Sequence, residues 1–491
     1  MKNNLYKHID HLSFFMDNRE RKLYIFTIAI RVVFLIFVLF SFGDRGLVMM
    51  GDSPDYLVLA QKIVTTNSMI SGGEGYEDIY ETTRLPGFPL FLSVLVFFQI
   101  PFFIGSLVQI LITSSIPIII MRLGKYCGLD GKITFLTGIL CAFEPSGIVY
   151  GTMLLPDAFN AWMFIVAFSY LVYFIKETNS KYLYASAVLF SIMNYIRPSG
   201  LFLGIILPVC LVLYSLFLER EKFKSYLKNA IVFGFIFFAI LLPWMTRNYI
   251  HYRVFSFASG IERQIYEITA VGVRASFEKV SQAEMLQKMR GEILPKLIEK
   301  RDLANFRNNG ILLSPALDII ISHPVQYLKL YVMSLVTFFA SGNYHYIGSV
   351  FHLFDNSEIS TSYTMIYATQ GIIPMIKALF MSVMRPYGAT IIFGRILWVL
   401  LAVFTIIGMF IERKNKEIRP ITIFFLCICI YMVIVISHIT VGIEARHRLF
   451  INPFYYLFTA ISVHAMIALL KKSKYVKAIS QQKDSSGTSG V

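Results

Sequence analysis

Long apolar runs alternate along this chain with short polar segments that are rich in lysine and arginine. Ten of the runs approach the roughly 20 residues that an α-helix needs to cross a bilayer. They are 23–42, 102–121, 133–151, 157–175, 182–197, 199–218, 229–246, 388–411, 420–437 and 450–470. Two further runs, 325–341 and 364–384, are interrupted by lysine or proline and are either two more spans or two interfacial helices. The pattern predicts an all-α polytopic membrane protein with about 10–12 transmembrane helices.

The basic segments orient the chain, because lysine and arginine in short loops favour the cytoplasmic side. The polar segment 1–22 and the tail 471–491 are basic, which predicts that both termini are cytoplasmic. The mostly acidic loop 43–86 is then external. The run 87–100 is too short for an ordinary span, so it is expected to dip into the outer leaflet or lie along it. Alternation also places the polar stretch 248–324 outside.

The composition agrees with a membrane location. Of the 491 residues, 56% are hydrophobic and 15% are charged, against about a quarter charged in soluble domains. The net charge of +15 is explained by the basic cytoplasmic loops rather than by nucleic-acid binding. The sequence carries no Walker motif, no dinucleotide fingerprint and no cysteine spacing typical of a metal site, so no nucleotide cofactor is expected. Arg31 lies within the first span near its inner end, where its side chain is expected to snorkel.

The segment Gly51-Asp52-Ser53-Pro54-Asp55 follows the first span and carries a clear helix-start signal. Serine is a favoured N-cap and proline suits the first helical position, so a helix is predicted here with Ser53 as its cap. Asp55 then lies in the first turn, where a carboxylate also complements the helix dipole. Asp52 lies outside the cap, so its carboxylate is available for chemistry.

Charged residues lie beside the outer ends of the predicted spans, where arginine is disfavoured. The basic ones are Arg84, Arg197, Arg247, Arg446 and Arg448, and the acidic ones are Asp52 and Asp157. Guanidinium groups bind phosphate in bidentate fashion, and a phosphate at the lipid–water boundary indicates a lipid phosphate. Each residue also has a structural interpretation, as a lipid head-group ligand, an interfacial anchor or a first-turn carboxylate. Their joint occurrence on one side favours a site that binds an anionic lipid and performs acid–base chemistry.

Four stretches stand out together. They are Asp52-Ser53-Pro54-Asp55-Tyr56 with Ala60, Arg84-Leu85-Pro86-Gly87-Phe88-Pro89, Leu155-Pro156-Asp157, and Arg446-His447-Arg448 with Asn452-Pro453-Phe454. They resemble motifs of the GT-C glycosyltransferases that use polyprenyl-phosphate sugars, particularly the protein mannosyltransferase and aminoarabinose transferase branch. The resemblance covers 20–250 and 420–470, and the stretch between them matches little. The family's first motif often reads Asp-Glu, so Asp55 is a second candidate for the acidic role of Asp52.

The resemblance implies a GT-C fold with external juxtamembrane helices and an inverting transferase whose site faces outward from the bacterial cytoplasmic membrane. Asp52 is the predicted general base. The catalytic candidates are Asp52, Asp55 and Asp157, and the candidate ligands of the donor phosphate are Arg84, Arg197, Arg247, Arg446 and Arg448. The expected partners are a polyprenyl-phosphate-linked sugar, membrane lipids and an envelope glycan, lipid or protein acceptor, not nucleic acid. Metal use varies across the superfamily, so the resemblance does not decide whether a divalent metal is bound.

These features divide the chain into four parts. The parts are a transmembrane module 1–250 with the catalytic loop 43–101, a variable external or interfacial helical region 251–387, C-terminal transmembrane helices 388–470 and a cytoplasmic tail 471–491. Two rival functions remain. A polysaccharide polymerase or ligase using lipid-diphosphate glycans also presents external arginines, although it usually relies on a large late external loop. A transporter or flippase predicts ionisable residues near mid-membrane and paired broken helices.

Overall fold

The structure is a computed structural model that describes residues 16–71, 79–300, 302–340, 342, 363–384, 386–436 and 445–486. The predicted cytoplasmic N-terminus up to residue 15 lies outside the described residues. The first helices are α1 (Asn18–Phe42), α2 (Ser53–Thr66), α3 (Gly87–Phe97), α4 (Phe102–Thr113), α5 (Ile116–Tyr126), α6 (Gly131–Ala142), α7 (Pro145–Thr152), α8 (Pro156–Glu177), α9 (Ser180–Ile196), α10 (Leu203–Leu218) and α11 (Phe223–Tyr252). A short antiparallel hairpin of β1 (Ile70–Ser71) and β2 (Ile79–Tyr80) follows α2.

The second half of the chain is also helical. Its helices are α12 (Ile261–Gln264), α13 (Val271–Glu278), α14 (Gln282–Ile293), α15 (Asn309–Ser322), α16 (Pro324–Ala340), α17 (Tyr363–Gln370), α18 (Ile372–Val383), α19 (Pro386–Ile411), α20 (Arg419–Ile436) and α21 (Asn452–Ser486). A π-helical turn, Ile265–Ala270, joins α12 to α13. The helix α21 continues into the segment 471–491 that the sequence assigns to a tail.

The described residues contain seven helices that are long and apolar enough to cross a membrane. They are Asn18–Phe42, Phe102–Tyr126, Pro156–Glu177, Pro198–Leu218, Arg220–Tyr252, Gly388–Lys414 and Asn452–Lys471. Counting two bent pairs as one span each, Gly131–Ala142 with Pro145–Thr152 and Phe306–Ser322 with Pro324–Ala340, raises the number to nine. The chain is therefore an all-α polytopic membrane protein in its main architecture. Within the described residues the number falls below 10–12 because the run 182–197 forms a helix of 17 residues and the run 364–384 is broken at Gly371, while the helix in 420–437 is described only as far as Ile436.

Charged contacts show how the first two long helices are arranged. Near the start of α1, Glu20 binds Arg122, close to the end of α5, at 2.7 Å. Beyond the other end of α1, Asp44 accepts the backbone N–H of Phe102, where α4 begins, at 2.9 Å. The helices α1 and α4–α5 are therefore antiparallel, as two successive crossings require. The loop after α1 lies at the end of the bundle where α4 starts.

Arg31 is buried inside the bundle, with 3% of its surface exposed. Its Nη1 donates to the hydroxyl of Thr113 at 2.5 Å, and a Cβ atom on Gly151 would lie 2.9 Å from that Nη1. Glu144 lies nearby, at the 54° bend between α6 and α7, and its carboxylate accepts the backbone N–H groups of Ser146 and Gly147. The prediction that Arg31 snorkels is therefore wrong, because the bundle supplies polar partners within reach of its guanidinium.

The orientation of the bundle gives the first prediction. In a cysteine-free background, a cysteine at Thr65 in α2 should react with an impermeant maleimide in intact cells. A cysteine at Gly131, at the start of α6, should react only after permeabilisation. The reason is the basic content of the segment around 122–132, which favours the cytoplasmic side. Labelling of position 131 in intact cells would reverse the orientation of the whole bundle.

Candidate functional site

The turn after α1 holds Asp52 at the start of α2. The helix begins at Ser53 with Pro54 in its first turn, and Asp52 occupies the N-cap position without making a side-chain cap hydrogen bond. The Ser53 hydroxyl donates instead to the carbonyl oxygen of Leu154 at 2.8 Å and is buried. The prediction of Ser53 as the cap is therefore wrong, because its hydroxyl satisfies a carbonyl in the loop before α8. Asp52, predicted to lie outside the cap, is itself the cap residue, but its carboxylate makes no cap hydrogen bond and is free of capping, as predicted.

Two arginines from distant parts of the chain face the Asp52 carboxylate. Arg446 Nη1 donates to Oδ2 of Asp52 at 3.2 Å, and Arg84 Nη2 lies 3.6 Å from Oδ1. Arg84 Nη2 also binds Oδ2 of Asp55 at 2.5 Å. Gly51 has a φ of +56°, and a Cβ atom there would lie 3.3 Å from Nη1 of Arg446, so glycine permits both the turn and the close approach. We call Asp52, Asp55, Arg84 and Arg446 the Asp52 cluster.

A second ion pair, Asp157 with Arg197, lies near the Asp52 cluster. Arg197 Nη1 donates to Oδ1 of Asp157, which is buried in the first turn of α8. A Cβ atom on Gly87 would lie 2.7 Å from the carbonyl oxygen of Tyr195, so the start of α3 packs directly against the segment that carries Arg197. The other oxygen of Asp157, Oδ2, is buried and has no hydrogen-bond partner among the described residues. This carboxylate therefore keeps an acceptor position unused.

The charges around Asp52 decide its protonation. Burial alone would raise the pKa of the Asp52 carboxyl, yet this pKa lies below its usual value. Three guanidinium groups outweigh burial, in decreasing order of effect those of Arg446, Arg84 and Arg197. Asp52 is therefore an ionised carboxylate at neutral pH. Because Arg197 is one of these guanidinium groups, the Asp157–Arg197 pair lies close enough to influence the Asp52 carboxylate.

Arg247 lies on the hairpin rather than in the Asp52 cluster. Its Nη1 donates to the carbonyl oxygen of Glu81 at 2.7 Å, and its Nη2 donates to that of Met69 at 3.3 Å. Its guanidinium also lies over the ring of Trp244, 4.5 Å from the centroid. These contacts tie the chain around β1 and β2 to the end of α11. The predicted role of Arg247 as a phosphate ligand stays a prediction.

Arg448 is fully buried within the bundle. Its Nε donates to Oδ1 of Asn452 at 2.9 Å, and its Nη1 donates to the carbonyl oxygen of Phe338. Its guanidinium stacks over Trp398, 3.6 Å from the ring centroid. This environment favours a packing role at the junction of α16, α19 and α21. Phosphate binding by Arg448 stays a prediction that these contacts do not favour.

Sequence reasoning did not assign two residues that contact the cluster. Tyr56 is buried one turn into α2, and burial raises its pKa to about 12. Its ring lies 5.6 Å from the guanidinium carbon of Arg84. Glu81 accepts the backbone N–H of Arg84 at 2.8 Å. A signal for Glu81 exists in the sequence, since a carboxylate three residues before a functional arginine can accept its N–H group.

The described residues hold no group of three or more His, Cys, Asp or Glu side chains placed to bind a metal ion. Asp52, Asp55 and Asp157 each bind an arginine instead. In comparisons with known proteins, no family model matches the sequence and no curated protein is significantly similar to it.

Proposed function

We propose that the protein is a membrane glycosyltransferase of the GT-C type. It moves a sugar from a polyprenyl-phosphate donor to an acceptor at the outer face of the bacterial cytoplasmic membrane. The observation that carries the proposal is the meeting of Asp52 with Arg84 and Arg446, the latter 394 positions further along the chain. An ionised acid beside two guanidinium groups, at one end of apolar helices, is the combination that transfer from a lipid phosphate requires.

The guanidinium groups of Arg84 and Arg446 are the proposed phosphate ligands. Their side chains are only 24% and 14% exposed, so solvent screens their charge weakly. Asp55 is 63% exposed and holds Arg84 at one edge of the cluster. The donor phosphate replaces Asp55 as the partner of Arg84, because a phosphate offers more acceptor oxygens to the planar fork. The polyprenyl tail then extends along the apolar helices.

Asp52 is the proposed general base. Its carboxylate takes the proton of an acceptor hydroxyl while the hydroxyl oxygen forms a bond to the anomeric carbon of the donor sugar. The bond from that carbon to the phosphate oxygen breaks, and its electron pair leaves with the polyprenyl phosphate. Attack from the side opposite the leaving group inverts the anomeric centre. The arginines stabilise the charge that develops on the phosphate.

Donor binding also changes the pKa of the proposed base, Asp52. In the free site the guanidinium groups lower the pKa of Asp52, and a weakly basic carboxylate is a poor proton acceptor. A phosphate that engages Arg84 and Arg446 supplies negative charge beside Asp52 and raises its pKa. The base is thereby strengthened only when the donor is present. Asp157, whose Oδ2 is still unpartnered, is proposed to orient the acceptor.

One observation favours transport as a second candidate function. Arg31 and Glu144 are buried charged residues beside the bend between α6 and α7, and such features occur in transporters. The cavity between them has a volume of about 20 Å³, which is room for a single water molecule. A substrate pathway needs more space than this cavity provides, so transferase activity is the better supported proposal.

The proposal predicts sugar transfer by the purified protein. In lipid nanodiscs supplied with radiolabelled polyprenyl-phosphate sugars and an envelope extract as acceptor, label should move to the acceptor fraction. An equal amount of polyprenyl phosphate should be released, because one glycosyl–phosphate bond breaks for each sugar moved. The matched control is the Asp52→Asn variant in the same discs. Absence of both transfer and donor binding for every sugar tested would reject the transferase, whereas movement of intact donor across a vesicle membrane would favour transport.

A further inference from the structure

The segment that presents Arg84 to the cluster is organised around the side chain of Glu81. Oε1 of Glu81 accepts the backbone N–H of Thr83 at 2.7 Å and that of Arg84 at 2.8 Å. The Glu81 side chain is buried, with the whole residue 7% exposed. One buried acceptor atom therefore fixes two successive peptide groups, the second of which belongs to Arg84 itself.

The same segment is also held by contacts from Ser259 and Arg247. Ser259 donates its backbone N–H to the carbonyl oxygen of Thr82 at 2.9 Å, and its hydroxyl donates to that of Thr82 at 2.7 Å. Arg247 binds the carbonyl oxygen of Glu81 at 2.7 Å. The residues before Arg84 are thus anchored, so the direction of its side chain depends on the turn that Glu81 closes.

The two contacts that Glu81 makes with Thr83 and Arg84 require an acceptor atom and not a charge. Burial, the largest influence, raises the pKa of Glu81, and Asp302 raises it further, while the two N–H contacts lower it. A carboxyl group that is neutral still has a carbonyl-type oxygen able to accept both N–H groups. Glutamine offers the same oxygen at the same distance along the side chain, whereas leucine has a similar volume and no acceptor.

We propose that Glu81 is a positioning residue that orients the Arg84 guanidinium toward Asp52, Asp55 and the donor phosphate. This inference rests on the proposed function for the identity of the ligand, the donor phosphate. Glu81 itself does not touch the reacting atoms. In the sequence pattern Glu-x-x-Arg, the glutamate then shapes the phosphate site by holding the backbone of the arginine.

The test compares Glu81→Leu with Glu81→Gln in nanodiscs. Loss of two backbone hydrogen bonds should weaken binding of a short-chain polyprenyl phosphate by roughly 5- to 150-fold in Glu81→Leu. Sugar transfer at low donor concentration should fall by a similar factor, with a larger change in KM than in kcat. Glu81→Gln should restore both within about threefold, because its Oε1 keeps the two contacts.

The matched control is Asp44→Leu, which also removes a carboxylate that accepts two backbone N–H groups, those of Phe102 and Phe103. It should lower the melting temperature without changing phosphate affinity. A third measurement needs no substrate. If Glu81 orients Arg84, then Arg84→Ala should lower the melting temperature less in the Glu81→Leu background than in the wild type.

The outcomes separate the two proposals. Wild-type protein that neither transfers sugar nor binds the donor contradicts the transferase but leaves the melting-temperature cycle to decide the role of Glu81. Additive melting temperatures, or a Glu81→Leu variant that binds polyprenyl phosphate as the wild type does, overturn the inference while the transferase stands. A Glu81→Gln variant as impaired as Glu81→Leu also overturns it, because the acceptor atom is then not what Glu81 contributes.

Discussion

Replacing Asp52 with asparagine is expected to lower the rate of sugar transfer by about 10²- to 10⁴-fold, the usual contribution of a positioned general base. Asparagine has almost the same shape as aspartate and can still accept a hydrogen bond from Arg446, which lies 3.2 Å from Oδ2 of Asp52. It cannot accept the proton of the acceptor hydroxyl. The loss should therefore appear in kcat, while binding of the polyprenyl-phosphate donor stays within a few-fold of wild type.

The neighbouring carboxylates provide the comparison for Asp52. Asp55→Asn should be milder, because Asp55 is exposed at the edge of the cluster and is the group that the phosphate displaces. Asp157→Asn should be intermediate, since Asp157 is held by Arg197 and is proposed to orient the acceptor. An inactive Asp55→Asn beside a fully active Asp52→Asn would move the base to Asp55. Normal turnover in both variants would refute acid–base chemistry at this loop.

Replacing Arg84 or Arg446 with alanine is expected to lower transfer by roughly 10- to 150-fold each, the value of a hydrogen bond to a charged group. Each variant removes a guanidinium that stabilises the leaving phosphate, and donor binding should weaken as well. Lysine should recover only part of the loss, because its ammonium group lacks the planar fork. The measurement is transfer under single-turnover conditions beside a separate donor-binding assay.

Arg448→Ala is the control for these arginine variants. Arg448 is buried against Trp398 and bound to Asn452, so its removal should lower the yield and melting temperature of the protein. Donor affinity per folded molecule should change little. Full activity of Arg84→Ala and Arg446→Ala, both correctly inserted, would refute the lipid-phosphate site.

The apolar pattern predicts most of the helices because an apolar segment in a bilayer must satisfy its backbone polar groups internally, which an α-helix does. It does not predict where a span bends. Glu144 lies at the bend between α6 and α7, and the pair Phe306–Ser322 and Pro324–Ala340 is bent by 99°. Packing against neighbouring helices sets such angles, and a single sequence holds no record of those neighbours. The burial of Arg31 was missed for the same reason, since its partner Thr113 comes from another helix.

The clustering of charged side chains was predictable where arginine occupies a position that the membrane disfavours. Arginines at the predicted outer ends of spans indicated Arg84, Arg197 and Arg446, and the structure brings all three close enough to lower the pKa of Asp52. Local helix-cap preference assigned Ser53 incorrectly, because its hydroxyl binds Leu154, 101 positions away. Arg247 and Arg448 satisfy the same pattern but bind carbonyl groups. A sequence pattern does not distinguish an arginine that binds a ligand from one that binds the main chain.

The contact between Asp52 and Arg446 has a consequence for biosynthesis. The two residues are 394 positions apart, which corresponds to roughly 20–80 s of translation at about 5–20 residues per second. For most of that interval Asp52 and Arg84 have both been synthesised, while Arg446 has not. A nascent or prematurely terminated chain therefore has half of the proposed phosphate site. Under the proposed function the missing guanidinium alone lowers transfer by roughly 10- to 150-fold, as in Arg446→Ala, so full activity begins only after the last segment has been inserted.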